Sequence, residues 1–306
     1  MLSFEGRTVI VTGAGRGLGR AYALHLAERG ANVVVNDLGT AVDGSGTDAA
    51  PAEEVVAEIE AAGGRAAVST ATVATTAGAE SIVATAITRF GGLDAVVNNA
   101  GVITNGRFPD SSEHFLEQNL SVHVRGSYNV TRAAWARLVE SGSGRLIVTT
   151  SSAFLGAPEL VEYGAAKGGL IGLGRGFAAA GRKLGIKSNI VAPFARTRMV
   201  GGEDGADGPA PTAGLEELFA KLPPEQSAAV VVALAHQDCP VSGEIVASGG
   251  GRVARIFVAE TEGIVDDQLT PESILERWPE IASTEEFTIP RDIGSYTAAF
   301  AERLPG

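Results

Sequence analysis

In the stretch "VEYGAAKGGL", Tyr163 lies four positions ahead of Lys167. On an α-helix, residues i and i+4 share a face, so this spacing stacks a phenol on an ammonium. A free tyrosine titrates near ~10. A nearby ammonium favours the phenolate and lowers that value. The chemistry to expect is proton exchange with an alcohol or ketone oxygen near neutral pH. The small residues between them (Gly164, Ala165, Ala166) read as space left for a ligand. Upstream, "VTTSSAF" ends an apolar run in Ser151 and Ser152. A hydroxyl at a strand's C-terminal end lies where ligands bind in open α/β sheets. It can bond a substrate oxygen as charge develops there. Position alone leaves both Ser151 and Ser152 open as the working hydroxyl.

A second constellation lies near the start. "VTGAGRGLGR" does not fit G-x-G-x-x-G in either frame, but it fits T-G-x-x-x-G-x-G with Thr12, Gly13, Gly17 and Gly19. Glycines let the backbone approach a pyrophosphate, and a helix N-terminus stabilises its charge. Asp37 follows about twenty residues later, at the end of the next apolar run. A carboxylate there accepts from ribose hydroxyls and repels a 2′-phosphate, which argues for NAD over NADP. Arg16, inside the loop, argues the other way, as a cation that can meet such a phosphate.

Positioning these groups requires a scaffold, and the pattern supplies one. Apolar β-branched runs at 7–12, 31–37, 65–73, 93–101, 145–151 and 187–193 read as strands. Helical stretches at 17–30, 52–64, 78–92, 112–140 and 160–184 alternate with them. Continuous apolar strands are buried on both faces. Alternation with helices implies right-handed βαβ units and an α/β fold with a doubly wound, Rossmann-type parallel sheet. Three segments break the rhythm: a Gly/Asp/Ala loop at 38–51, a polar turn-rich stretch at about 196–220 that suits a lid, and a C-terminal extension at about 252–306. The reading is one domain over 1–306.

The totals narrow the function classes. The 306-residue chain carries a formal net charge of −12, which disfavours nucleic acid and anionic membranes as partners. Its one cysteine, Cys239, allows no internal disulfide, and its four histidines show no metal-ligand spacing. No run approaches the roughly 20 apolar residues of a membrane span. With no signal-peptide pattern at the start, the expectation is a cytoplasmic protein.

In this order, "TGAGRGLG", "NDLG", "NNAG", the serine pair and "YGAAK" resemble the short-chain dehydrogenase/reductase family, over residues 6 to about 251. The resemblance implies NAD(P)-dependent hydride transfer with Ser152, Tyr163 and Lys167 as catalytic residues. Tyr163 would pass the proton; Lys167 would bind the nicotinamide ribose and tune Tyr163. His123 occupies the family's fourth catalytic position, usually Asn; both a backbone role and a side-chain role stay open for it. Gly13, Arg16, Gly17, Leu18, Gly19, Asp37, Leu38, Thr72, Val73, Asn99, Gly101, Pro193 and Thr197, with Tyr163 and Lys167, form the implied cofactor set. Thr72 stands where an adenine-touching aspartate is common, and Phe194 replaces the usual glycine after Pro193. Within the family, "VHVRGSYNVTRAAW" and "LTPESILERWPEI" resemble the (3R)-hydroxyacyl-CoA dehydrogenase branch, also known for 17β-hydroxysteroid oxidation. That implies a lipid-like substrate, including CoA esters, and a homodimer or homotetramer. Arg196 and Arg198 are candidates for CoA phosphates. The rival readings are an NADPH-dependent 3-oxoacyl-carrier-protein reductase and a non-catalytic dinucleotide sensor.

Overall fold

The computed structural model describes residues 2–104, 106–197, 217–218 and 220–304. The chain comprises two compact units, Met1–Arg255 and Ile256–Gly306. The first is built on an eight-stranded sheet of order β3-β2-β1-β4-β5-β6-β7-β8. Its strands are β1 (Thr8–Thr12), β2 (Asn32–Asn36), β3 (Arg65–Ser69), β4 (Ala95–Asn98), β5 (Arg145–Thr149), β6 (Lys187–Pro193), β7 (Ile245–Gly249) and β8 (Arg252–Ile256). From β3 to β7 every neighbouring pair is parallel. The register pairs Thr12 with Asn36, Val11 with Val97 and Thr149 with Val191, so the C-terminal ends of the central strands form one edge.

Period-two alternation divides these strands between two cores. Val9, Val11, Val33, Val35, Val97 and Ile147 face one side, with α1 (Gly17–Ala27), α2 (Ala50–Ala61) and α7 (Pro224–Ala235). Ile10, Val34, Val96 and Leu146 face the other, against α3 (Thr76–Phe90) and α5 (Gly126–Glu140). Helices on both faces explain why the strands are apolar throughout. The helix ends follow local chemistry: Thr75 accepts from the Gly78 amide to cap α3, and Gly91 closes it in the left-handed region at φ 82°.

Two expectations need correction. The helix over 112–140 is not continuous. It runs as α4 (His114–Asn119), then a π-helical turn (Leu120–Arg125), then α5. The third strand ends at Ser69 rather than 73. The stretch 221–251 carried no assignment, yet α7 and β7 form there. The apolar composition of α7 suits burial between strands and α1, with no polar face to reveal its period. α6 spans Val161–Gly181. The expected lid at about 196–220, with Arg198, falls mainly outside the described residues.

The second unit pairs β9 (Glu260–Thr261) antiparallel with β10 (Phe287–Thr288). Two capping boxes start its helices: Thr270 with Ser273 before α8 (Pro271–Glu276), and Asp292 with Ser295 before α10 (Ile293–Arg303). The single turn Trp278–Ile281 (α9) lies between them. Among the described residues, no helix is long and apolar enough to cross a membrane.

At the edge of the sheet opposite the strand C-termini, Arg145 is 4% exposed. It donates to the carbonyls of His236 (3.1 Å), Gly144 (2.9 Å) and Gln237. Replacing it by leucine leaves buried acceptors without donors, at about 1–3 kcal/mol each before relaxation. Arg145→Leu should therefore lose about 2–4 kcal/mol of stability, measured by denaturant unfolding.

Candidate active site

A cavity of about 650 Å³ opens at the C-terminal edge of the sheet, and every expected catalytic and cofactor-set residue lines it, from Gly13 to Thr197, whereas Arg196 is not in its lining and Arg198 lies outside the described residues. Its floor is assembled by a few side chain–backbone bonds. The Thr12 hydroxyl accepts from the amides of Asn99 and Ala100, both at 3.0 Å. The Asn99 side-chain amide donates to the carbonyls of Thr12 (3.0 Å) and Gly13 (3.1 Å). These bonds clamp the glycine loop onto the loop after β4. A Cβ on Gly19 would lie 2.0 Å from the Gly13 carbonyl oxygen, so only glycine fits that turn.

Asp37, just beyond β2, accepts from the Gly15 amide through Oδ2 and from the Gly39 amide through Oδ1, both at 2.7 Å. Its carboxylate is thereby fixed beside the glycine loop. The Thr72 hydroxyl accepts from the Ala74 amide, turning the chain after β3, while Val73 is buried. Pro193 ends β6, and the Thr197 methyl lies 3.5 Å from where a Gly17 Cβ would sit. Phe194, which follows Pro193, lines the cavity and is 43% exposed, so it is part of the wall and not of the core.

Lys167 and Tyr163 are both buried on α6. Lys167 Nζ donates to the Thr149 carbonyl at 3.0 Å, and the Thr150 hydroxyl donates to the Lys167 carbonyl at 2.6 Å. These reciprocal bonds stitch α6 to the end of β5. The ammonium lies 5.4 Å from the centre of the Tyr163 ring. Burial acts on both groups against their charged forms. It pushes the Lys167 amine down to about 7 and the Tyr163 phenol up to about 12. The expectation that the ammonium lowers the phenol is overturned here, because desolvation dominates. The opposing influence on Tyr163 is a hydrogen bond from Ser151.

That influence favours Ser151, the alternative the sequence left open, over Ser152. Ser151 has extended backbone at the end of the strand, and its oxygen accepts from the Ala153 amide at 3.2 Å. Ser152 already belongs to the following 3₁₀ turn, Ser152–Leu155. Both serines line the cavity, and it is Ser151 that acts on the phenol's titration. The small residues of "YGAAK" also serve differently from the expectation. A Gly164 Cβ would lie 2.8 Å from the Ala153 carbonyl, so glycine lets the serine turn approach α6. Ala166 is fully buried in packing.

His123 sits on the π turn and is 1% exposed. Its Nε2 lies 2.8 Å from the Val102 carbonyl and 3.3 Å from the Val102 amide. A carbonyl only accepts, so the closer contact places the proton on Nε2. Nδ1 then has no hydrogen-bond partner among the described residues. Burial, helped by the Lys167 charge, holds the ring well below its usual pKa and hence neutral. The ring meets Tyr163 edge-on at 5.5 Å and 79°. It also explains Gly101, whose Cβ would lie 2.4 Å from His123 Cε1.

A tyrosine–lysine pair under a serine hydroxyl, beside a glycine loop on a parallel sheet, defines a proton-transfer site next to a nucleotide-type crevice. The family model for short chain dehydrogenase matches residues 7–204. The chain belongs to the short-chain dehydrogenase/reductase family and is an oxidoreductase acting on CH–OH groups. It is 42% identical over 283 residues to Rv0148 of Mycobacterium tuberculosis, named as a short-chain type dehydrogenase/reductase, covering 92% of this chain and 96% of that one. It is 38% identical over 308 residues to the peroxisomal multifunctional enzyme type 2 of Mus musculus, covering 99% of this chain but 40% of that protein. A hydroxyacyl-CoA dehydrogenase of Mycobacterium tuberculosis, ChsB1, is 38% identical over 211 residues, covering 66% and 65% of the two chains. A short chain dehydrogenase from Mycobacterium avium superposes with a TM-score of 0.75 at 35% identity, covering 90% of this chain and 94% of that one.

Two outcomes follow from this geometry. Ser151→Ala should lower kcat/KM by about 10²–10³, with Ser152→Ala within a few-fold of wild type, in a steady-state assay of both variants. For alcohol oxidation the site must hold a proton acceptor, so activity should rise with pH through the Lys167 value of about 7 and then level. In Lys167→Met that limb should shift upward toward the phenol's own value, with a loss at pH 7 of about 10² or more.

Proposed function

We propose that this protein is an NAD-dependent dehydrogenase of lipid-like secondary alcohols, with 3-hydroxyacyl-CoA esters and 17β-hydroxysteroids as the leading substrate classes. The observation that carries the reading is the convergence of Ser151, Tyr163 and Lys167 in the crevice that also holds Asp37.

The residues present fit a nicotinamide dinucleotide. The first turn of α1 has no side-chain cap and no acidic residue, so its amides are open to a pyrophosphate. Asp37 keeps lone pairs beyond the two that its backbone amides use, and these can accept from ribose hydroxyls. A carboxylate at that place disfavours a 2′-phosphate, which supports NAD over NADP. Arg16, Gly17, Leu18, Leu38, Thr72, Val73, Asn99, Pro193 and Thr197 complete the lining that would hold the group. When bound, the dinucleotide supplies the hydride acceptor or donor.

The chain's own groups supply the proton chemistry. Ser151 and Tyr163 orient a substrate oxygen by hydrogen bonds. Tyr163 takes or gives the proton at its hydroxyl, and Lys167, titrating near neutrality, is the group with which that proton is exchanged. His123, neutral and fixed by Val102, holds the phenol ring in place. The wall beyond them is apolar, with Ile103, Ala153, Ala157, Leu160 and Phe194, which suits an acyl or sterol body. The names of the relatives point the same way, toward hydroxyacyl-CoA.

A dehydrogenase screen across 3-hydroxyacyl-CoAs and 17β-hydroxysteroids, with NAD and NADP compared at equal concentration, tests this. NAD should be preferred by about 10² or more in kcat/KM, and Asp37→Ser should narrow the preference at least about tenfold. Preference for NADP would favour the 3-oxoacyl reductase reading. Tyr163→Phe should abolish turnover while retaining NADH binding, followed by nucleotide fluorescence.

A further inference from the structure

Resting on the dinucleotide reading of the crevice, we propose that Gln118 is a positioning residue that pins segment 38–48 as a strap across the crevice, so that nucleotide leaves only when the strap lifts.

The topology places the strap. β2 and β4 flank β1 on either side. The segment leaves the end of β2 and closes its root on itself: the Asp48 amide donates to the Leu38 carbonyl at 3.1 Å. Gly39 lies at φ +69°, and a Cβ there would overlap the Asp48 carbonyl oxygen at 1.7 Å. At the tip, a tight turn forms between Ala41 and Ser45, whose carbonyl accepts from the Ala41 amide at 2.8 Å. The tip is held on the β4 side. The Ile103 amide donates to the Val42 carbonyl at 3.1 Å, and Gln118 Nε2 on α4 donates to the Asp43 carbonyl. Val42 is 5% exposed.

A chain anchored beyond β2 and bonded to the loop beyond β4 must cross the C-terminal end of β1, where the glycine loop begins. Thr40, Ala41, Val42 and Gly44 accordingly line the same cavity as Gly13. The root is also tied to the cofactor side of the crevice, because Asp37 accepts the Gly39 amide. Strap closure and the placement of Asp37 therefore share one hydrogen bond. At the tip, one of the two tethers is a side chain, and that side chain can be removed without touching the backbone.

The test is the dissociation of NADH from the full-length protein, followed by stopped-flow nucleotide fluorescence. Gln118→Leu should release NADH about tenfold faster and raise KM for NAD more than KM for the alcohol. Gln118→Lys, which restores a donor, should return the release rate toward wild type. Replacing residues 41–46 by two glycines should accelerate release at least as much as Gln118→Leu. An unchanged release rate in Gln118→Leu and in the shortened strap, with wild-type folding by circular dichroism, would overturn the proposal. So would a Gln118→Leu defect confined to KM for the alcohol, which would make Gln118 a substrate contact. Failure of the wild-type protein to bind either NADH or NADPH would instead overturn the dinucleotide reading, and the strap with it.

Discussion

The crevice depends on one hydroxyl. Thr12 ends the central strand, and its oxygen receives two consecutive backbone amides from the loop beyond β4. Asn99 returns the favour with two bonds from its own amide to the glycine loop. Four hydrogen bonds thus fix two loops that parallel strands would otherwise leave free at their ends. The remaining features are laid out from that clamp: the open turn of α1 on one side, Gly101 against His123 on the other, and Ile103 within reach of the chain from β2. Buried backbone groups must be paired somewhere, and here their pairing is also what shapes the site.

The chemistry arises from a contest that burial wins. An amine and a phenol lie close together, and among the described residues no carboxylate is a hydrogen-bond partner of either. Desolvation acts on each in the direction of neutrality, and the two values move toward opposite ends of the scale rather than toward each other. The amine rather than the phenol then titrates in the physiological range. His123 stands in the same environment and stays neutral for the same reason, its ring edge-on to the phenol and tied to Val102.

Much of this was legible in the amino-acid sequence, and the gaps have physical causes. Val9–Val11 and Val33–Val35 announce buried parallel strands because both faces are covered. The glycine loop, Asp37 and the Tyr163–Lys167 pair are legible because each chemical task constrains residue type and spacing together. The choice between the two serines is not legible, since the change from extended strand to 3₁₀ turn between Ser151 and Ser152 leaves no mark in composition. The π turn around His123 is equally silent: its residues suit an ordinary helix, and the His123 contact with Val102 is long-range. Gly164 was assigned to ligand space when it serves the approach of one turn to a helix. The segment 38–48 read as a loop, because its contacts with Ile103 and Gln118 exist only in three dimensions.

The polar end of the sheet opposite the crevice, where Arg145 gathers carbonyls from two loops, also encloses the one thiol of the chain. Cys239 is buried, with Asn189 donating to its sulfur at 3.8 Å and the Val241 carbonyl 3.6 Å away. A reagent that alkylates thiols reaches it only when that end opens. The rate of its modification is therefore a built-in clock for local breathing, read at a single atom and far from the chemistry. Because no second cysteine competes, the signal needs no engineering to interpret.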